Sequence, residues 1–494
     1  MKKILVANRG EIAIRVMQSA KEMGIRTVAV YSQADRLAQH VQYADEAICI
    51  GPPSSSASYL HIPAILEACA LSGADAVHPG YGFLSENPDF AAAVSAAGLT
   101  FIGPNAESMR IMGNKISAKQ LAKVQNIPLV PGTDVPIEDA PLALKEAQNI
   151  GFPILVKAAA GGGGKGMRVV YEAADFEEQL GLAISEARSA FGDGSVFLER
   201  YIEAPRHIEI QVIADQAGNT LHVFERECSI QRRHQKVIEE APSVLLSESL
   251  RKEMGDCATR LAVACGYVGV GTVEFILDEQ QNYYFLEMNT RLQVEHPVTE
   301  MISGLDLVKE QIRIARGQHL SFKQEDLKIH GHALELRIYA EDPQAGFLPD
   351  TGILTQYELP HGPGVRVDNG YKAGMEIPVY YDPMIAKLCV WGKNREEAIQ
   401  RMRNAIKTYR INGIKSTLDF GLFVMEHPQF IEGNFDTRFV DLYFKPEQDT
   451  PTPDDDRSMI AALVGSYLLK TNVSLSNGSR SSCTDSNWKR NRNT

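Results

Sequence analysis

Residues 285–296, Phe-Leu-Glu-Met-Asn-Thr-Arg-Leu-Gln-Val-Glu-His, alternate apolar and polar side chains with period two. In an extended chain that period sends Glu287, Asn289, Arg291, Gln293 and Glu295 to one face. Leu286, Met288, Leu292 and Val294 go to the other. Such a segment calls for a sheet that is apolar on one side and carries carboxylates, an amide and a guanidinium on the other. A second run, Thr272–Leu277, has strand composition, and the polar turn Asp278–Asn282 follows it. A hairpin centred near residues 280–281 sets Glu274 opposite Glu287. Like charges directly opposite in a sheet are destabilising, and a cation between them removes that cost. Two carboxylates with an amide oxygen are hard ligands suited to magnesium or manganese, ions that commonly share their shell with substrate phosphates. A solvated hairpin with two exposed glutamates is the plainer alternative.

The rest of the composition narrows the class. At 494 residues the chain has room for about three domains. Its net charge of −12 argues against a general nucleic-acid binder, while leaving room for a local basic pocket that holds phosphates. The seven cysteines are odd in number and none is spaced as CxxC, which excludes a disulfide framework or zinc signature and points to a reducing compartment. Met1-Lys2-Lys3 and the apolar run Ile4–Ala7 imitate a signal peptide, but Asn8-Arg9-Gly10-Glu11 ends that run too early. No apolar stretch approaches 18 residues, so the expectation is a cytoplasmic protein that neither spans a membrane nor binds nucleic acid.

Residues 4–31 read as strand, loop, helix and strand, with the helix over Ile12–Met23 stopped by Gly24. Strand–helix alternation continues to about residue 105, which predicts a parallel, Rossmann-like sheet. Its first turn lacks GxGxxG, so no dinucleotide is inferred. His78-Pro79-Gly80-Tyr81-Gly82-Phe83 is a loop at a strand end, either ligand-facing or an ordinary turn. Further on, Ile154–Lys157 enters Gly161-Gly162-Gly163-Gly164-Lys165-Gly166, and Val169–Tyr171 returns. Successive glycines can bring bare backbone N–H groups against phosphate oxygens. Gly166 stands where a Walker A loop has Ser or Thr, so the pattern reads as a lid over a nucleotide or as a simple mobile hairpin. Residues 207–226 form another hairpin, with His207, Glu209 and Gln211 on one face and a turn at Gly218-Asn219. The run Cys228–Lys236 is strongly basic, and is either part of the same site or a solvated loop. From residue 331 strands are expected at His332–Tyr339, Gly352–Tyr357, Val365–Val367 and Ile385–Trp391, with a helix at Glu396–Tyr409: an α+β closing domain. Residues 447–456 read as a linker and 472–494 as a disordered or docking tail.

Taken together, these motifs resemble biotin carboxylase, the ATP-grasp component of biotin-dependent carboxylases, from Lys2 to about Phe444. The carriers are Lys3–Ala13, His78–Glu86, the glycine loop, Arg206–Gln211, Cys228–Lys236 and Glu287–Pro297. The resemblance implies an α/β architecture in four parts. These are an N-terminal Rossmann-like domain (1–113), an ATP-grasp domain (114–330, lid about 130–203), a C-terminal α+β domain (331–446), and a linker with tail (447–494). It implies that ATP, bicarbonate and biotin become carboxybiotin, ADP and phosphate by way of carboxyphosphate. ATP would be held by Lys115, Lys157, Met167, His207, Gln231, His234, Glu274, Glu287, the backbone of Gly163 and Gly164, and Glu199, Arg200, Tyr201 and Ile202. Two magnesium or manganese ions would sit on Glu274, Glu287 and Asn289. Lys236, Arg291, Gln293 and the Val294 backbone would bind bicarbonate, with Glu295 as its base. Arg337 would bind biotin and stabilise its enolate-like ureido oxygen. For removal of the biotin N1 proton, newly formed phosphate and a Cys228–Lys236 pair are rival assignments.

Lys165 stands where members of this family often carry Arg. Tyr380–Ile385 resembles the acyl-CoA and pyruvate carboxylase branch more than the housekeeping acetyl-CoA branch. The resemblance as a whole implies the first half-reaction of an acyl-CoA carboxylase, with acetyl- or propionyl-CoA as acceptor. No Ala-Met-Lys-Met-like turn occurs, so carrier-bound biotin and the carboxyltransferase are expected on separate chains, and the protein itself as a homodimer. Another ATP-grasp ligase and a non-catalytic nucleotide-binding protein are the alternatives.

Overall fold

The computed structural model describes residues 1–133, 135–137, 139–158, 167–191, 194–445 and 464. The glycine loop with Gly163, Gly164 and Lys165, the linker 447–456 and the tail 472–494 therefore lie outside the described residues.

Five parallel strands open the chain: β1 (Lys3–Val6), β2 (Arg26–Ser32), β3 (Glu46–Gly51), β4 (Ala76–His78) and β5 (Thr100–Phe101), in the order β3-β2-β1-β4-β5. Ile4, Leu5 and Val6 are wholly buried, as expected for a parallel strand covered on both faces. The first helix runs Gly10–Glu22, starting two residues before Ile12, and Gly24 follows it at φ +70°. At the carboxyl end of this sheet the two conspicuous loops interlock. Asn8 Nδ2 donates to the carbonyls of Pro79 (2.8 Å) and Tyr81 (2.7 Å). Gly80 lies at φ +64°, and a Cβ there would stand 2.9 Å from Asn8 Nδ2, so both conformation and space require glycine.

Three antiparallel strands, β6 (Ile154–Ala158), β7 (Met167–Val170) and β8 (Val196–Arg200), follow in the order β7-β6-β8. Helices Ala140–Ile150 and Phe176–Phe191 cover them through Ala143, Ala147, Phe176 and Leu180.

The site is built on an eight-stranded antiparallel sheet. Its members are β9 (Arg206–Ala214), β10 (Thr220–Arg232), β11 (Gln235–Ala241), β12 (Gly269–Leu277), β13 (Tyr283–Asn289) and β14 (His332–Tyr339), and two strands from further along the chain. Between these come the short pair β15 (Glu341–Asp342) and β16 (Leu348–Pro349), and β17 (Gln356–Glu358). The last members are β18 (Val365–Asn369) and β19 (Met384–Gly392), and the order is β13-β12-β9-β10-β11-β14-β19-β18. The change of texture at residue 331 is thus no change of sheet. The strand expected over Gly352–Tyr357 is mostly absent: Ile353 forms a single bridge to Glu376, and regular pairing starts only at Gln356. The amphipathic helix spans Arg395–Thr408 and packs its Ile399 and Met402 side against Leu334, Leu336, Ile338 and Leu388. Strand alternation sends Glu239, Glu335, Arg337, Lys387 and Cys389 to the opposite face, where the helix His296–Ser303 lies. All five are buried.

Candidate active site

The hairpin β12–β13 pairs Glu274 directly with Glu287 and Thr272 with Asn289, around a turn closed by Asp278 N to Asn282 O at 3.0 Å. The register slips by one residue between Glu274 and Phe275, so Leu286 falls in a bulge. It is 40% exposed and does not join the apolar face with Met288, contrary to simple alternation. The extended segment is also shorter than expected. β13 stops at Asn289, and residues 290–295 form a turn into the helix His296–Ser303, which carries Pro297 in its first turn. The Thr290 N–H bonds Glu86 Oε1 at 3.0 Å, outside any strand ladder. Arg291, Gln293 and Glu295 therefore reach the site from a turn, not from one face of a strand.

They nevertheless converge. Lys236 Nζ, on β11, donates to Glu209, to Glu274 Oε1 (2.8 Å) and to Glu295 Oε1 (2.8 Å). Glu274 Oε1 also accepts from Asn289 Nδ2 (2.8 Å) and Gln293 Nε2 (2.6 Å). Its other oxygen meets His207 Nε2 at 2.7 Å. Gln231 Nε2 lies 2.9 Å from His207 Nδ1 and can only donate to it, so His207 carries its proton on Nε2, toward Glu274. Arg337 donates from one arm to Glu295 Oε2 (2.8 Å) and from Nε to Glu239 (2.6 Å). Arg291 donates to Glu86 Oε2 (2.8 Å) and Asn289 Oδ1 (2.7 Å).

The charges follow from this geometry. Burial pushes the Glu295 carboxyl up, but Lys236, Arg337 and Arg226 outweigh it and hold Glu295 well below the usual range. Glu274 is likewise held low against its burial by Lys236 and His207. Glu287 is shifted the other way, by burial and by the facing Glu274 charge. Among the described residues its carboxylate makes no hydrogen bond or ion pair. Glu287, which is exposed, Glu274 and the Asn289 amide oxygen are hard donors of the kind a divalent cation takes. Burial, then Glu209, pushes the Cys228 thiol well above the ordinary value, which weighs against its serving as a thiolate base. Lys236 is already engaged by three carboxylates.

The remaining expected residues lie on neighbouring elements. Lys157 on β6 pairs with Glu199 on β8, and Lys119 joins them. Lys115 opens the helix Lys115–Val124. Met167 starts β7, and Arg200, Tyr201 and Ile202 end and follow β8. Arg233 (φ +48°) and His234 (φ +64°) make the two-residue turn between β10 and β11, with both residues in the left-handed region that such hairpins favour. The basic run Cys228–Lys236 is accordingly a buried strand pair with an exposed tip, not a solvated loop. Glu86, Lys119, Arg226 and Glu239 join the site without any expectation from the sequence. For Arg226 a signal exists: it stands directly opposite Glu209 once β9 and β10 are paired.

Three protein-family models match the chain: "Biotin carboxylase, N-terminal domain" over residues 1–109, "Carbamoyl-phosphate synthase L chain, ATP binding domain" over 114–323, and "Biotin carboxylase C-terminal domain" over 335–442. Biotin carboxylase 1 of Bacillus subtilis is 51% identical over 444 residues, 90% of this chain and 99% of that protein. A pyruvate carboxylase component of Methanothermobacter thermautotrophicus is 50% identical over 95% of this chain and 96% of its own. The mitochondrial propionyl-CoA carboxylase alpha chain of Sus scrofa is 49% identical over 95% of this chain and 65% of its own. Among solved structures, the biotin carboxylase domain dimer of Hydrogenobacter thermophilus 2-oxoglutarate carboxylase, in complex with MgADP, ADP and bicarbonate, superposes with a TM-score of 0.83. It is 47% identical and covers 89% of this chain and 97% of that one.

Proposed function

The chain belongs to the biotin carboxylase family of ATP-dependent ligases, and from that premise we propose how its buried cluster divides the work. Bicarbonate is a poor nucleophile that must be fixed in line with the γ-phosphate. Arg291, Lys236, the Gln293 amide and the Val294 N–H hold it, and Glu295 takes its proton. In the ion-pair network Glu295 is a weak base, because Lys236 and Arg337 both donate to it. Bicarbonate drawing Lys236 away, and biotin drawing Arg337 away, each raise its proton affinity when it is needed. Arg337 then stabilises the negative oxygen that develops on the ureido ring. Phosphate, not Cys228, takes the biotin N1 proton.

Lys115, Lys157, Met167, Glu199–Ile202, His207, Gln231 and His234, with the backbone of Gly163 and Gly164, hold ATP. Glu274, Glu287 and Asn289 hold two magnesium or manganese ions, which supply charge neutralisation on the phosphoryl group. Functional regions follow the divisions 1–113, 114–330 and 331–446. For residues 472–494 we propose a docking role toward partner proteins; complex assembly that survives their deletion overturns it.

The observation that carries this reading is Lys236 Nζ shared among Glu209, Glu274 and Glu295, with Arg337 on the second oxygen of Glu295. It is tested by ADP release from MgATP with bicarbonate and free biotin added separately and together. Release should require bicarbonate and rise further with biotin; release indifferent to biotin assigns the chain to another ligation.

As partners we propose a biotin carrier protein and a carboxyltransferase, and we propose a homodimer, as the domain of the Hydrogenobacter protein is. The final acceptor we propose is acetyl- or propionyl-CoA, supported by the propionyl-CoA carboxylase relative. Pyruvate and 2-oxoglutarate carboxylases are equally similar, so reconstitution with each carboxyltransferase class decides it.

A further inference from the structure

Arg226 is the largest fully buried side chain of the described residues. Its five N–H groups are all engaged, on four different elements. Nε donates to Glu209 on β9. One terminal nitrogen donates to Gln211 Oε1 (2.7 Å) and Thr299 Oγ1 (2.9 Å), and the other to Thr272 Oγ1 (3.0 Å) and Gln293 Oε1 (2.6 Å). A buried ion seldom adds stability over well-packed apolar side chains, so bulk packing does not explain a guanidinium here.

Its contact with Gln293 has a chemical consequence. A guanidinium has donors and no acceptor, so the amide atom facing Arg226 must be the oxygen. That fixes the amide, and Nε2 is turned toward Glu274 Oε1 at 2.6 Å. On the side of the cluster Gln293 can then only donate. A donor-only amide suits an anionic oxygen and offers nothing to a hydroxyl. At the same time Arg226 offsets the charge of Glu209, one of the three carboxylates on Lys236.

We propose that Arg226 is a positioning residue for anion recognition: by holding Gln293 Oε1 it makes that amide a donor-only contact for a bicarbonate oxygen. The proposal rests on the bicarbonate reading above. It predicts that Arg226 and Gln293 act as one unit on bicarbonate and not on ATP.

The test measures bicarbonate-dependent ADP release, with KM for bicarbonate and for MgATP taken separately, for wild type, Gln293→Met, Gln293→Glu, Arg226→Lys and the Arg226→Lys/Gln293→Met double variant. Gln293→Met and Arg226→Lys should each raise the bicarbonate KM about tenfold, the size of one hydrogen bond to a charged group. The double variant should be no worse than about twofold beyond the weaker single one, because coupled residues are not additive. Equal effects of Arg226→Lys with and without Gln293, or an effect confined to melting temperature or to the MgATP KM, would overturn the proposal. Should Arg226→Lys fail to fold, Arg226→Gln takes its place in the same cycle, and a rise in bicarbonate KM that is equal with and without Gln293 overturns the proposal. A carboxylate can only accept, so Gln293→Glu should raise the bicarbonate KM further than Gln293→Met. If Gln293→Glu matches or outperforms Gln293→Met, the amide was an acceptor and the inference fails. Wild-type ADP release indifferent to bicarbonate would remove the functional reading and the inference together, an outcome distinct from loss of coupling.

Discussion

The N-terminal sheet and the polar face of the eight-stranded sheet are buried to the same degree and are built from opposite materials. Ile4, Leu5, Val6, Val28 and Val30 have no solvent contact; neither have Glu239, Glu335 and Lys387. Burial of the first set stabilises in proportion to apolar area, about 25 cal/mol per Å². Burial of the second set costs desolvation that pairing only partly returns. The accounts differ in their loose ends too. Glu239 Oε2 and Glu335 Oε1 are buried without a hydrogen-bond partner, and burial pushes the Glu239 carboxyl up to about 7, with Arg337 opposing and Glu295 adding to the rise. One region holds the fold, and the other keeps charges where chemistry needs them at some expense in stability. Substitutions should therefore separate the two.

Arg337→Ala is the sharpest test and the largest effect. It removes the cation shared by Glu239 and Glu295. Biotin carboxylation should fall by about a thousandfold, the scale of losing a principal electrostatic donor, while bicarbonate-dependent ATP cleavage persists. Both activities measured on one preparation settle it. Equal loss of both would mean that Arg337 serves the bicarbonate step, and the assignment to biotin alone would fall.

How much of this could be read from the chain differs between the same two regions. The parallel sheet was legible because a βαβ unit advertises itself locally, through short apolar strands, helix periodicity and a stopping glycine. The facing of Glu274 and Glu287 was legible because a hairpin places its partners by counting from the turn. The bulge at Leu286 was not, since no residue there signals an extra position. Nor was the end of β13: alternation continues to Glu295 in the sequence, and only a tertiary contact, Glu86 on the Thr290 N–H, draws the backbone off the ladder. Alternation put the right residues together for a partly wrong reason. Arg226 lies two strands beyond the β12–β13 hairpin, on β10, in a hairpin whose register the sequence leaves open. The continuity of the sheet across residue 331 rests on β11 pairing with β14, nearly a hundred residues away, which no local pattern encodes.

In the apolar region, Leu5→Ala should cost about 3 kcal/mol of stability by the usual transfer and cavity terms, with KM values for ATP and bicarbonate unchanged. Leu5 packs among Val28, Val30, Ile65 and Val77, away from every side chain of the cluster. Chemical denaturation with parallel kinetics checks this; a shift in either KM would show that the two regions are not separable in the way their composition suggests.

The smallest effect is expected where the regions touch. Glu11, in the first turn of the helix Gly10–Glu22, is the acidic residue that the N-terminal region sends into the polar face. Lys387 Nζ stands 3.4 Å from it, and neither of its oxygens has a hydrogen-bond partner. Burial raises its carboxyl from 4.5 to about 7; Lys387 and Arg366 oppose the rise and Asp368 adds to it. The folded state thus holds a proton that the unfolded chain releases between pH 4.5 and 7. Native protein binds more protons across that interval, so stability from this group is present below the unfolded value and is lost as pH rises through the folded one. Glu11→Gln cannot ionise. Relative to wild type it should gain stability from about pH 5 to about pH 7 and level off above, by about 2 kcal/mol. Melting temperatures of both proteins across roughly pH 5–8 read this directly. A difference independent of pH would mean that Glu11 is ionised throughout and that Lys387 compensates it fully, in which case the boundary between the two regions is a satisfied ion pair and not a point of residual strain.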